Sequence, residues 1–150
     1  MRSGVGCNVG TDGKPASTKT QGKSDAQVFV ENWSTVWRGQ DSDPHRYMEL
    51  LPEGCPLVNP ISSGTREDRP QLFDGILAIE PDICVTPTRW AETADGTVLI
   101  EWVNTGALYG APVELHGADR FTLKDGKACE GQSHFDPRPF LQAPSAAAGQ

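Results

Sequence analysis

The chain has 150 residues and a formal net charge of −7 at pH 7, a length that suits one domain and a balance that argues against a nucleic-acid-binding face. No apolar run approaches the about 20 residues needed to span a bilayer, so no membrane association is expected. The first residues lack the apolar core of a secretory signal, and the cytoplasm is the expected compartment.

Residues 1–24 hold almost no large apolar side chains and are rich in Gly, Ser, Thr and Lys. They cannot bury enough surface to offset the entropy of ordering, and a disordered N-terminal tail is expected there. Residues 143–150 read the same way, so the folding unit is expected at 25–142.

Residues 25–38 carry Val28, Phe29, Trp33, Val36 and Trp37 at helical spacing, with Ser24 or Asp25 as cap and Gly39 as stop. A short helix is predicted over 43–51, with Asp43 as N-cap and Pro44 at the first helical position. Cys55–Ile61 reads as a short strand that its prolines confine to a sheet edge, and 62–64 as a loop. A third helix is predicted over 65–79, starting near Arg69 because Pro70 sits in the span. From there the hydrophobic period changes from 3.6 to 2. Strands are predicted over 83–92, 97–105, 113–123 and 127–135, with Asp95-Gly96 and Asp125-Gly126 as hairpin turns. Helices followed by a run of strands imply an α+β architecture: a curved antiparallel sheet covered by about three helices and enclosing a pocket.

No two of Cys7, Cys55, Cys84 and Cys129 lie close in sequence, and there is no C-x-x-C. His45, His116 and His134 offer no metal-ligand spacing. Free thiols, no metal site and no cofactor are expected.

Strand parity sorts the polar candidates. Val98, Ile100, Trp102 and Asn104 share one face, which Trp102 points inward, so Asn104 becomes a pocket residue and Glu101 faces solvent. Asp119 shares a face with Leu115, Phe121 and Leu123, where desolvation would raise its pKa. The alternative is an ion pair of Asp119 with Arg89 or Arg120, or a bulge that turns it outward. The imidazole of His134 could move a proton, although parity sets it opposite Phe135. His116 is expected to face out. Trp33, Trp102 and Tyr47 offer aromatic surface for a flat ligand, with core packing as the alternative.

The segment GADRFTLKDGKACEGQSHFDPRPFL resembles the closing strand pair of SnoaL-like proteins, members of the nuclear-transport-factor-2-like superfamily. VLIEWVNTGALYGAPVELHG resembles the hairpin before it, LPEGCPLVNPISSGTRE the strand after the second helix, and WSTVWRGQD the first helix. The resemblance implies a cone-shaped roll, and it points to a fold more than to a function. Ketosteroid isomerases of this class carry a base Asp where this chain has Asn59, an oxyanion-donating Asp that Asp119 matches, and a Tyr that corresponds to Trp33. Limonene-type epoxide hydrolases carry an Arg-x-Asp that falls on Trp102 and Asn104, and a second Asp that falls near Ser133. Their water-positioning Asn is matched by Asn59. Polyketide cyclases carry an acid/base Asp for which Asp136 is the candidate.

The first reading is therefore a cofactor-independent enzyme that cyclises or isomerises a hydrophobic carbonyl compound. Asp119 would donate to the oxygen, Asp136 or His134 would move the proton, and Asn59 and Asn104 would orient a ligand flanked by Trp33, Trp102, Tyr47, Phe121 and Ser133. The second is a non-catalytic small-molecule-binding or scaffold module of the same fold, and the third a hydrolase or dehydratase. By resemblance, a homodimer through the outer sheet face is also expected.

Overall fold

The computed structural model describes residues 22–141; most of the predicted N-terminal tail and all of the C-terminal one lie outside them. Helix α1 (Asp25–Trp33) starts where the Ser24 hydroxyl accepts the Gln27 amide at 3.1 Å, and it buries Ala26, Phe29, Val30 and Trp33. It stops sooner than its apolar spacing predicts, and Val36 and Trp37 follow outside it, just before the isolated bridge of Arg38 to Cys84. Helix α2 (Pro44–Glu49) has Asp43 as N-cap, bonded to the His45 amide at 2.8 Å. Helix α3 (Arg69–Ile79) begins at the predicted residue, after a short 3-10 turn.

Six strands form one curved, open sheet in the order β2-β1-β6-β5-β4-β3. They are β1 (Pro56–Val58), β2 (Ser63–Thr65), β3 (Cys84–Glu92), β4 (Thr97–Leu108), β5 (Ala111–Lys124) and β6 (Lys127–Phe135). A final short helix, α4 (Arg138–Leu141), follows. The long strands form the predicted antiparallel meander. At Asp125-Gly126 both residues have positive φ, 53° and 80°, in the two-residue hairpin that closes between Lys124 and Lys127. Two expectations are corrected at the other end. Ser63 and Gly64, predicted as loop, form edge strand β2 with Thr65, and β1 is an inner strand. It runs parallel to β6 through Leu57↔Gly131 and Val58↔Gln132. Three residues are too few for an alternation to be read, and Ser-Gly-Thr has the composition of a turn.

The helices cover the concave face, and the core forms between them. Phe29, Trp33, Tyr47, Phe73, Ile100, Trp102 and Phe121 belong to it. Phe29 and Phe121 pack with ring centroids 4.9 Å apart, and Trp37 stacks on Phe73 at 3.7 Å. Cys55 and Cys129 are free thiols, but Cys84 is disulfide-bonded, which corrects the expectation that all four cysteines are free. Among the described residues no helix is long and apolar enough to cross a membrane.

Candidate active site

Between α2, α3 and the concave face of β4–β6 lies a cavity of about 150 Å³. Its wall is mostly aromatic and aliphatic, with Asn59, Arg69, Asn104, Asp119 and Ser133 as the polar members. Phe140 of α4 completes it. The Tyr109 hydroxyl donates to the Phe140 carbonyl at 2.7 Å, and the Phe135 and Phe140 rings meet at 5.4 Å, so the last turn is tied to the sheet beside the cavity.

Asp119 sits at the centre of β5, opposite Ile100 on β4 and Ser133 on β6, and is 6% exposed. Parity therefore placed it on the inner face. The Trp102 indole N–H donates to its Oδ1 at 2.9 Å. Burial pushes its pKa up to about 6, and the hydrogen bonds from Trp102 and Ser133 restrain the rise. The Arg partners considered from sequence are engaged elsewhere. Arg89 holds Glu101 through two hydrogen bonds, of 3.0 and 2.9 Å, and Arg120 donates to Gln132 at 2.7 Å.

Gly117 explains how Trp102 reaches the carboxylate. The two residues are cross-strand partners, and a Cβ on Gly117 would lie 2.4 Å from the indole ring. Only a bare backbone lets the ring lie flat over β5 toward Asp119.

Asn104 is held from behind. Its Nδ2 donates to Glu80 Oε2 at 3.0 Å, with Glu80 fully buried at the end of α3. Asn104 Oδ1 and Glu80 Oε1 have no partner among the described residues. Burial raises the Glu80 pKa to about 7, the Asn104 bond opposes the rise, and the charge of Asp82 adds to it. Gly106 gives this carboxyl its room, since a Cβ there would come within 2.7 Å of Oε1.

Of the remaining residues singled out from sequence, Trp33, Trp102, Tyr47, Asn59 and Ser133 line the cavity. Asn59 also organises its loop, its Oδ1 accepting the Ile61 and Ser62 amides at 2.8 and 2.9 Å. Phe121 is buried against Phe29 and lies behind the cavity wall. His134 and Asp136 are exposed and absent from the wall. His134 pairs with Ala118, on the opposite face from Asp119, and Asp136 is bonded to Arg138 at 2.6 Å, which lowers its pKa to about 2. The structure thus brings neither of them to Asp119. Sequence reasoning missed Arg69 and Glu80, both buried, because Arg and Glu at helix ends ordinarily read as solvated.

Tyr47 is the second ionisable group in the cavity with an O–H to give. Burial comes first and the neighbouring Asp119 charge second in raising its pKa, so its hydroxyl stays protonated at physiological pH. Among the described residues no group of three or more His, Cys, Asp or Glu could hold a metal ion.

No protein-family model and no curated protein matches the chain. Solved structures do match its fold. A protein from Catenulispora acidiphila with a ketosteroid isomerase-like fold, in complex with trimethylamine, is 20% identical with a TM-score of 0.64, over 72% of this chain and 85% of its own. A SnoaL-like protein from Jannaschia sp. CCS1 is 19% identical with a TM-score of 0.63, over 84% and 98%. A nuclear-transport-factor-2-like protein of unknown function from Burkholderia pseudomallei is 13% identical with a TM-score of 0.69, over 83% and 100%. The chain therefore has the nuclear-transport-factor-2-like α+β cone fold that the resemblance of its closing strands implied.

Proposed function

We propose that this protein is a cofactor-independent acid/base enzyme that moves a proton next to a carbonyl group of a hydrophobic compound, giving isomerisation or cyclisation. The observation that carries this reading is Asp119, a deeply buried carboxyl with a pKa near 6 in a largely apolar cavity. At pH 7 to 8 most of it is ionised, which suits a general base better than the neutral donor expected from sequence. Trp102 fixes the carboxylate from one side. The Tyr47 hydroxyl, kept protonated, is suited to donate to the oxygen on which charge develops. Asn104, held by Glu80, offers a polar contact for orientation. His134 and Asp136 have no part in this version, since neither lines the cavity.

The test is exchange of the α-proton of hydrophobic cyclic ketones for solvent deuterium, followed by mass spectrometry and NMR. The wild type should accelerate exchange, with a rate that rises through about pH 6, and Asp119→Asn should abolish the acceleration. Exchange undiminished in that variant would sink the reading.

A binding module is the second reading. It is favoured by the two hydrogen bonds that already engage the Asp119 carboxylate. Binding across a ketone panel with no exchange or product, unchanged in Asp119→Asn, is its signature. A homodimer through the outer sheet face is proposed with either reading, and light scattering on the purified chain tests it.

A further inference from the structure

Arg69 is 6% exposed and lines the cavity wall. Its Nε has no hydrogen-bond partner, and among the described residues no carboxylate forms an ion pair with it. The neighbouring acids are engaged elsewhere: Glu67 accepts the Gly54 amide at 3.1 Å and pairs with Arg66, and Asp68 accepts the Thr65 amide at 2.7 Å. Asp119 shares the cavity but forms no bond with Arg69. The guanidinium instead lies against the Tyr47 ring, its carbon 5.8 Å from the centroid.

This arrangement is costly in a specific way. A guanidinium does not deprotonate in a protein, so burial cannot be relieved by loss of its charge. Arg69 also occupies the first position of α3, where the helix dipole opposes a cation. An unpaired buried charge of this kind is strongly disfavoured unless an anion meets it.

We infer that Arg69 is the recognition site for an anionic oxygen group of the ligand, a carboxylate or an ionised enol, seated against Tyr47 at the α3 side of the cavity. The ligand class is then a flat hydrophobic acid whose apolar body lies along the Trp37–Phe73 stack and reaches toward Asp119. This assignment rests on the proposal that the cavity takes a small carbonyl compound, and it adds the charge that such a compound carries.

The experiment compares 2-naphthoate with its uncharged relatives, methyl 2-naphthoate and 2-acetonaphthone. Binding is read by fluorescence of Trp33, Trp37 and Trp102, which line the cavity, and by calorimetry. The wild type should prefer the carboxylate by about 10- to 100-fold, the scale of a charge-assisted hydrogen-bonded pair. Arg69→Met should bring the ratio close to one, Arg69→Lys should keep part of it, and the outward-facing Arg120→Gln should keep all of it. Thermal melting is the second readout. Arg69→Met should melt higher than wild type without ligand, and should lose the rise in Tm that 2-naphthoate gives the wild type. Equal affinity of the wild type for acid and ester, no binding of either, or a preference that survives Arg69→Met overturns the inference. None of these measurements involves turnover. Failed proton exchange alongside a clear charge preference removes only the enzyme reading, and successful exchange without the preference removes only the role of Arg69.

Discussion

The two faces of the β4–β5 pair differ by one residue of register and by opposite treatment of charge. Outside, Glu101 is held by Arg89 and the His116 ring meets Glu114 at 2.9 Å, each pair in solvent. Inside, among the described residues, Asp119 has only neutral donors, Glu80 has an amide on one oxygen and no partner on the other, and Arg69 has no counter-ion. Several exposed charges are thus ion-paired, whereas among the described residues the buried Asp119, Arg69 and Glu80 form no ion pair, and the first two line one cavity. That contrast separates structure from chemistry, because exposed ion pairs contribute little and buried unpaired groups persist against a stability penalty.

The largest expected effect is on catalysis. Asp119→Asn should lower the rate of α-proton exchange by about 10²- to 10⁴-fold, the usual contribution of one general base, while circular dichroism stays unchanged. If the rate holds, the inner face is no more chemical than the outer one.

Stability against pH comes next. The folded pKa values of Asp119 and Glu80, about 6 and about 7, lie above those of the unfolded chain. Between roughly pH 4 and these values the folded state holds protons that the unfolded state has released, so stability falls as pH rises through the window. Asp119 acts between about pH 4 and 6 and Glu80 between about pH 4 and 7, each removing about 3 kcal/mol in full. Urea denaturation at pH 5 and pH 8 measures the slope. Asp119→Asn and Glu80→Gln should each be more stable than wild type at pH 8, and each should flatten its own part of the curve. A flat wild-type profile would mean that these carboxyls are not desolvated as described.

Much of this architecture was legible because alternation and turn chemistry agree along the meander. Residues 127–135 were bounded correctly, and parity set Asp119, Asn104 and Trp102 inward with His116 and Glu101 outward. The edge was not legible: a three-residue strand has no period, and the parallel β1–β6 pairing depends on where the chain returns after α2. The site was half legible for a related reason. Asp119 stands out among apolar neighbours on one strand, whereas Arg69 and Glu80 acquire their meaning only when α3 packs onto the sheet. Aspartate just before a proline near the chain's end looked like the family's acid, but Asp136 serves its own local turn: its Oδ1 accepts the Arg138 amide at 3.0 Å.

A smaller effect tests how the inner face is built. Gly117→Ala sets a methyl where the Trp102 ring lies, so the indole must swing off β5 and leave Asp119. The expected destabilisation is about 1–3 kcal/mol, in the range of overpacking in a filled core. Trp102→Phe removes the indole donor with less steric disturbance. Its cost should be greater at pH 8 than at pH 5, because the lost bond is charge-assisted only when Asp119 is ionised. A pH-independent cost would mean that the indole serves packing alone.

The smallest expected effect is the most discriminating. His134→Ala and Asp136→Asn remove the two titratable groups, at the end of β6 and just after it, that resemblance and chemistry would select first. His134 is exposed on the outer face, and Asp136 is occupied by the Arg138 guanidinium and amide. Neither change should alter the proton-exchange rate or its rise through about pH 6, because that rise belongs to Asp119. A loss of exchange in either variant would show that the outer side of β6 takes part in the reaction. The division of labour between the faces would then fail, even with the Asp119 result intact.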